Sequence, residues 1–292
     1  MEPLQYEKRG YLNEPFRLFH LADGSHQEIA YHYHTFHKII ILLAGRAGYA
    51  IEGEGYALQP GDYVLVGRGS IHRPIVEQGD FYERAILYIS PEFLQEQSRG
   101  GDDLETCFRQ AQRDFRYVYH SGGSDRVREL FGLLEQSQQE AGFGAALLQR
   151  ALFTQLMVEV NRISLAGDTV SAAAGDSKVV ALLQYLNAHL TEGLTIDELA
   201  ARFYISKYHM MRRFRDETGY TIHGYVTEKR LLLAQRLLAQ GASPSEVGAQ
   251  VGYQDYSTFS RAYKKQFGRG PSADVVHEST ICMELGKNCD LQ

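Results

Sequence analysis

Val251-Gly-Tyr-Gln-Asp-Tyr-Ser-Thr-Phe-Ser-Arg-Ala-Tyr-Lys-Lys-Gln-Phe-Gly268 reads as a glycine turn followed by a helix that stops on a second glycine. Phe259, Tyr263 and Phe267 recur every four residues, which puts three aromatic rings on one stripe of that helix. Just upstream, Ser243-Pro244-Ser245-Glu246 combines a capping hydroxyl, a proline at the first helical position and a glutamate three residues past the cap. Val247 and Val251 supply the buried face of this earlier helix, and Gly252 supplies the turn. Two short helices joined by a tight turn form a helix-turn-helix, whose second helix lies in the major groove of DNA.

A similar pattern stands about 49 positions earlier. Thr195-Ile196-Asp197-Glu198 is a capping box, and Ile196, Leu199, Ala200 and Phe203 fall on one face behind it. Tyr204-Ile205 makes the corner, and Ser206 caps a second helix that runs to Gly219. Met210 and Phe214 face inward, leaving Tyr208, His209, Met211, Arg212 and Arg215 outside. Phe214 corresponds to Tyr263, Arg212 to Arg261 and Gly219 to Gly268. Between the units, Ile222 to Gln240 is a helical run with Tyr225, Leu232, Leu233 and Leu237 available for packing. Its length of about 28 Å approaches the roughly 34 Å of one DNA turn, so both second helices are expected to enter successive major grooves.

From Ala181 to Pro271 the chain closely resembles the DNA-binding domain of the AraC/XylS family of transcription regulators, and Val251 to Gly268 carries the family signature nearly intact. The resemblance implies base reading by Tyr208, His209, Met211 and Arg212 in the first unit. In the second unit it implies Tyr256, Ser257, Ser260 and Arg261. Phosphate contact falls to Lys207, Arg213 and Lys264. Side-chain chemistry agrees in part: Arg can donate two hydrogen bonds to guanine, and Met or Tyr can contact a thymine methyl. The family usually closes with an aromatic-Arg pair after Pro-Ser. Here Ala273-Asp274 stands instead, and looser final packing is expected.

Charge divides along the same line. Met1 to Ser177 carries 16 Lys+Arg against 24 Asp+Glu, a net of −8, whereas Lys178 to Ser272 carries 13 against 8, a net of +5. The whole chain, at −6, hides this asymmetry, which points to double-stranded DNA as partner of the C-terminal half only. Over 292 residues, 44% apolar and 23% charged content suit two packed domains. No stretch approaches the roughly 18 apolar residues of a membrane span, and the start has no apolar signal core. Cys107, Cys282 and Cys289 are too scattered for a disulfide framework. A cytoplasmic protein without membrane association is expected.

Up to about Pro91 the chain reads as short strands: Phe16 to Leu21, Lys38 to Leu43, Gly48 to Ile51, Tyr63 to Val66 and Ala85 to Ile89. Regular spacing and glycine turns point to a barrel or sandwich. Asp125 to Glu140 and Ala145 to Ile163 carry helical spacing, separated by Gly142 and Gly144. Residues 164–177 read as a linker and 275–292 as a patternless tail.

Two stretches, Tyr31 to Lys38 and Leu58 to Pro74, resemble the two motifs of a cupin barrel, which AraC/XylS regulators commonly carry as their ligand domain. Metal-binding cupins place two His and a Glu in the first motif and another His in the second. His32, His34 and His72 match, but Lys38 stands at the Glu position. An ammonium there opposes a divalent cation, so no metal and no cofactor are expected. In an extended strand His32, His34, Phe36 and Lys38 share one face. With His72 they form the candidate ligand set, suited to an anionic or hydroxyl-rich small molecule such as a sugar or sugar acid. His37, on the opposite face, reads as a core residue. The family uses helices at the place of 125–163 to pair two sensor domains.

The expected fold is therefore α+β with two domains. Residues 1–163 form a cupin-like β-barrel with a helical dimerisation segment, and 178–274 an all-α domain with two helix-turn-helix units joined by a linker helix. The expected function is a homodimeric, effector-responsive DNA-binding transcription regulator, not an enzyme, with the transcription machinery as a further partner. Two rivals remain in view: a cupin-type metal-dependent enzyme fused to a DNA-binding module, and a constitutive DNA-binding protein whose barrel only dimerises.

Overall fold

A computed structural model describes residues 12–23, 29–77, 80–120, 125–167, 169–172 and 177–275. The chain divides into two compact units, Met1–Val180 and Ala181–Gln292, a boundary three residues beyond the one read from the sequence.

The N-terminal unit is built on two antiparallel sheets. Strands β1 (Phe16–Asp23), β2 (His37–Gly45), β5 (Tyr63–Val66), β7 (Tyr82–Ile89) and β8 (Val118–Tyr119) form one, in the order β1-β7-β2-β5-β8. Strands β3 (Ala47–Ile51), β4 (Glu54–Leu58) and β6 (His72–Ile75) form the other, in the order β4-β3-β6. Residues His37 to Leu42 of β2 are buried without interruption. A central strand covered on both faces reads as a continuous apolar run rather than an alternation, which explains the run from Lys38 to Leu43. His37 packs its ring on Phe108, centroids 4.4 Å apart. Phe108 belongs to α2 (Thr106–Asp114), so this face of β2 is covered by helix.

Sequence patterning passed over five elements here: β4, β6, β8, α1 (Pro91–Gln97) and α2. The two longer helices, α3 (Arg126–Ser137) and α4 (Ala145–Ala166), lie where expected. The expected linker is shorter than 164–177. Helix α4 continues to Ala166, the Ser164 hydroxyl bonds the Tyr119 hydroxyl at 3.3 Å, and the Val170 amide donates to the Val118 carbonyl at 2.9 Å. Small polar residues that look like linker are thus used as packing and edge pairing. Cys107 is buried and free; Cys282 and Cys289 lie outside the described residues.

The C-terminal unit is helical: α5 (Ser177–Ala188), α6 (Ile196–Arg202), α7 (Lys207–Thr218), α8 (Ile222–Ala239), α9 (Pro244–Gln250) and α10 (Tyr256–Phe267), then a 3₁₀ turn at Pro271–Asp274. Caps act as the sequence indicates. Thr195 and Glu198 form the reciprocal capping box, Ser206 accepts from the His209 amide, and Ser243 from the Glu246 amide. Gly219 and Gly268 end α7 and α10 in the left-handed region, at φ +75° and +74°. Leu231, Ala234 and Leu238 of α8 pack with Val247, Val251, Phe259 and Tyr263 as one buried cluster. Under the first helix pair, Phe214 meets Tyr225 of α8 edge-on at 5.7 Å.

The closing turn is tied down rather than loosened. Asp274 accepts from the Tyr263 hydroxyl and pairs with Arg269. The acid that replaces the family's usual residue therefore anchors the last turn to the middle of α10. Among the described residues no helix is long and apolar enough to cross a membrane.

Candidate functional site

Helices α7 and α10 each bury one stripe and leave the other bare. Met210, Phe214 and Thr218 are the buried residues of α7, and Phe259 and Tyr263 those of α10. On the outer faces Tyr208, Met211, Arg212, Tyr256, Ser257 and Arg261 are exposed, whereas His209 and Ser260 are half-buried. Tyr208, at 73% exposure, and Tyr256, at 44%, stand in the first turns of the two helices. Arg261 bonds the Ser257 carbonyl on its own helix at 3.3 Å, leaving the rest of its guanidinium for a partner.

The expected phosphate contacts differ among themselves. Lys264 is exposed in the last turn of α10. Lys207 is ion-paired with Asp197, and Arg213 with Glu217 at 3.3 Å. Phosphate binding at these two exchanges one surface anion for another, which lowers its net gain.

In the N-terminal unit the five candidate ligand residues, His32, His34, Phe36, Lys38 and His72, are all buried. They come together, but not as one strand face. Residues 31–36 are irregular and β2 begins only at His37. His32 is held instead by an isolated bridge to His72, its amide donating to the His72 carbonyl at 3.1 Å and its carbonyl accepting from the His72 amide at 2.9 Å. The rings of His32, His34 and His72 lie with centroids 4.4 to 5.0 Å apart, and Phe36 stacks on His34 at 4.5 Å. Two imidazoles have a fixed proton: Nδ1 of His32 donates to the Ala30 carbonyl and Nδ1 of His72 to the Ser70 carbonyl, both at 2.9 Å. A carbonyl can only accept, so Nδ1 carries the hydrogen and Nε2 the lone pair. One nitrogen from each of the three histidines lies within 4.8 Å of the others.

Lys38 leaves the helix-covered face of β2 on the other side, its ammonium 5.8 Å from the Tyr88 ring centroid. Burial, then the nearby Arg84 guanidinium, push its amine down to about 7. Burial, with Lys38 and the other two histidines beside it, holds His72 well below its ordinary value, in the neutral form. His37, expected as core, is buried against α2 with Nε2 3.2 Å from Glu105.

Comparison with known proteins bears on both units. Residues 18–157 match the family described as AraC-like ligand binding domain, and 199–274 match a Helix-turn-helix domain. The HTH-type transcriptional activator RhaS of Salmonella arizonae is 28% identical over 246 residues, covering 82% of this chain and 85% of that protein. This chain belongs to the AraC/XylS family of transcription regulators. RhaS of Escherichia coli is 26% identical over 242 residues, with the same shares of the two chains. Among solved structures, unsaturated fatty acid bound ToxT from Vibrio cholerae matches with 11% identity and a TM-score of 0.38, over 89% of this chain and 95% of that one.

The regulator thus pairs an N-terminal ligand-binding domain with a C-terminal DNA-binding domain. One residue in it has no counterpart in the sequence reading. Arg230, on α8, donates to the Leu190 carbonyl at 2.7 Å, to that of Glu192 at 2.6 Å and to that of Gly252 at 3.0 Å. It thereby ties the loop before α6 to the turn before α10. A lone arginine on a linker helix gives no signal of this, because all three acceptors are backbone atoms.

Proposed function

We propose that the regulator is a homodimeric, effector-responsive protein that reads DNA through the outer faces of α7 and α10. The single observation that carries this reading is the pair of 12-residue helices, each bare on one side and anchored on the other. In this reading Tyr208, His209, Met211 and Arg212 contact bases on one segment and Tyr256, Ser257, Ser260 and Arg261 on the next. Lys207, Arg213 and Lys264 hold phosphates. Helix α8 is the linker between two helix-turn-helix units.

The sensor in this reading is a cupin-like barrel made from the two sheets. Its effector lies against His32, His34, Phe36, Lys38 and His72, and is an anionic or hydroxyl-rich small molecule such as a sugar or sugar acid. Lys38 favours such a ligand: among the described residues it has no carboxylate partner, and its buried amine, pushed down to about 7, can donate hydrogen bonds to an oxygen ligand and regains its charge beside an anion. The RhaS relatives are named activators, which supports contact with the transcription machinery. Pairing of two chains runs along α4, where Leu147, Leu148 and Leu165 stand exposed. Effector binding biases the populations of DNA-bound and free arrangements of the dimer.

The test is a salt series of binding to DNA upstream of the regulator's own gene and to unrelated DNA. Specific binding tighter by about 10³ or more, with a steep salt slope, is expected. Equal affinity for both, with and without sugars and sugar acids, would return the weight to an enzyme built on the barrel.

A further inference from the structure

We infer that His32, His34 and His72 form a binding site for one divalent transition-metal ion in the N-terminal unit. The sequence argues the other way, because Lys38 takes the place of an acidic ligand. The structure separates the two questions. The carboxylate is missing, but the three imidazoles are assembled as ligands would be.

Each histidine contributes a ring nitrogen, and the three nitrogens lie within 4.8 Å of one another in fully buried surroundings. Orientation is set from behind. The Nδ1–H groups of His32 and His72 are spent on the Ala30 and Ser70 carbonyls, so Nε2 of each ring presents a lone pair. Metal-bound histidines show this second contact almost without exception, because it fixes the tautomer and raises the basicity of the donor. The backbone is set as well. His32 and His72 exchange both of their main-chain hydrogen bonds, and the His34 carbonyl accepts from the Gly69 amide at 2.8 Å. The cluster is therefore positioned by paired main chain, not by long flexible side chains.

His72 supplies the observation that a purely structural cluster does not explain. Its Nε2 is completely buried and has no hydrogen-bond partner among the described residues. A buried acceptor without a donor loses its hydration and gains nothing in return. A cation at the centre of the cluster removes that deficit. Three neutral nitrogen donors suit zinc, nickel, copper or ferrous iron and not magnesium or calcium, which take oxygen ligands. Because no carboxylate joins the three histidines among the described residues, the bound ion keeps its full double charge and has positions open to water or to an oxygen ligand. Lys38 then stands near the ion as a hydrogen-bond donor for a ligand that the ion binds.

The experiment uses the full chain without a histidine tag, stripped with a chelator and dialysed. Cobalt(II) titration should give visible d–d absorption that saturates at about one ion per chain, and zinc should displace it. Replacing His72→Gln should weaken zinc binding by roughly tenfold or more, measured against a chromophoric chelator, and H32Q with H34Q should abolish it. The half-buried His189→Gln variant, in the other unit, should leave metal binding unchanged. Should the buried variants fail to fold, X-ray absorption at the zinc edge of the unaltered protein still decides. A shell containing three nitrogen donors at about 2.0–2.1 Å supports the site. Substoichiometric uptake, an all-oxygen or sulfur shell, or a folded H72Q that binds as tightly as the parent, overturns it. These readouts need neither DNA nor effector, so their failure removes the ion and leaves the transcription regulator standing.

Discussion

Helix pairs α6–α7 and α9–α10 use the same lengths, seven residues and then twelve, yet solve their corners differently. In the second pair the left-handed corner residue is Gly252, at φ +87°. A Cβ there would lie 2.5 Å from the Thr191 carbonyl oxygen and 2.9 Å from Cζ of Arg230. In the first pair the left-handed residue is Tyr204, at φ +51° and 93% exposed. A non-glycine residue held in that region carries about 1–2 kcal/mol of strain. One corner is thus closed against the rest of the domain and must be glycine. The other is open, and tolerates a strained tyrosine whose ring lies in solvent.

The deepest test of the comparison removes a core ring. Phe214→Ala should cost about 3–5 kcal/mol in urea unfolding of the C-terminal unit. Its counterpart change Tyr263→Phe keeps the packing and gives up the hydroxyl's bond to Asp274, for about 1.5 kcal/mol. Equal losses would mean that the Tyr263 hydroxyl supports its helix pair as much as the whole Phe214 ring supports the other. Cutting the tie between the pairs comes next: Arg230→Ala gives up three charge-assisted bonds, and about 3 kcal/mol of stability should go with them. A native melting curve would show that the clamp is idle.

Smaller effects sharpen the contrast at the two corners and on the two outer faces. Gly252→Ala should destabilise by about 2 kcal/mol, combining left-handed strain with the contact on Thr191. Arg212→Ala and Arg261→Ala should each weaken specific binding by about 1–3 kcal/mol and spare binding to random DNA. A matching loss on random sequence would assign both to phosphates. Tyr204→Gly should move the other way and stabilise by about 0.5–1 kcal/mol. Unaltered DNA affinity in that variant would show that the exposed ring is a tolerated defect; a loss would make it a contact.

The helical unit is legible in sequence because its information is local. A cap lies three residues from the amide it accepts, and a buried stripe repeats every three to four residues. Ser206, Ser243, Gly219 and Gly268 each mark a boundary that the structure shows. The sensor unit is less legible for the converse reason. Strand β6, four residues with Pro74 in the middle, is recognisable only through its pairing with β3. Helix α2 starts at Thr106 without a side-chain cap and ends on Phe115 at φ +52°, so neither end announces itself. The histidine cluster was within reach of motif spacing, but its geometry was not. The assumed strand from His32 to Lys38 gives way to an irregular approach, and what brings His32 to His72 is a bridge between distant segments.

Arg230 has one further consequence, for the grammar of the DNA that the regulator reads. Three carbonyls held by one guanidinium turn the two helix pairs into a ruler of fixed length. Each inserted base pair rotates the duplex by about 35° and lengthens it by about 3.4 Å, and the Arg230 bonds to the Leu190, Glu192 and Gly252 carbonyls oppose a matching rotation of one helix pair against the other. If α7 and α10 read two words in the operator, as proposed, those words are spelled at one spacing. On that proposal, a promoter that drifts by a single letter between them weakens its hold on the second word.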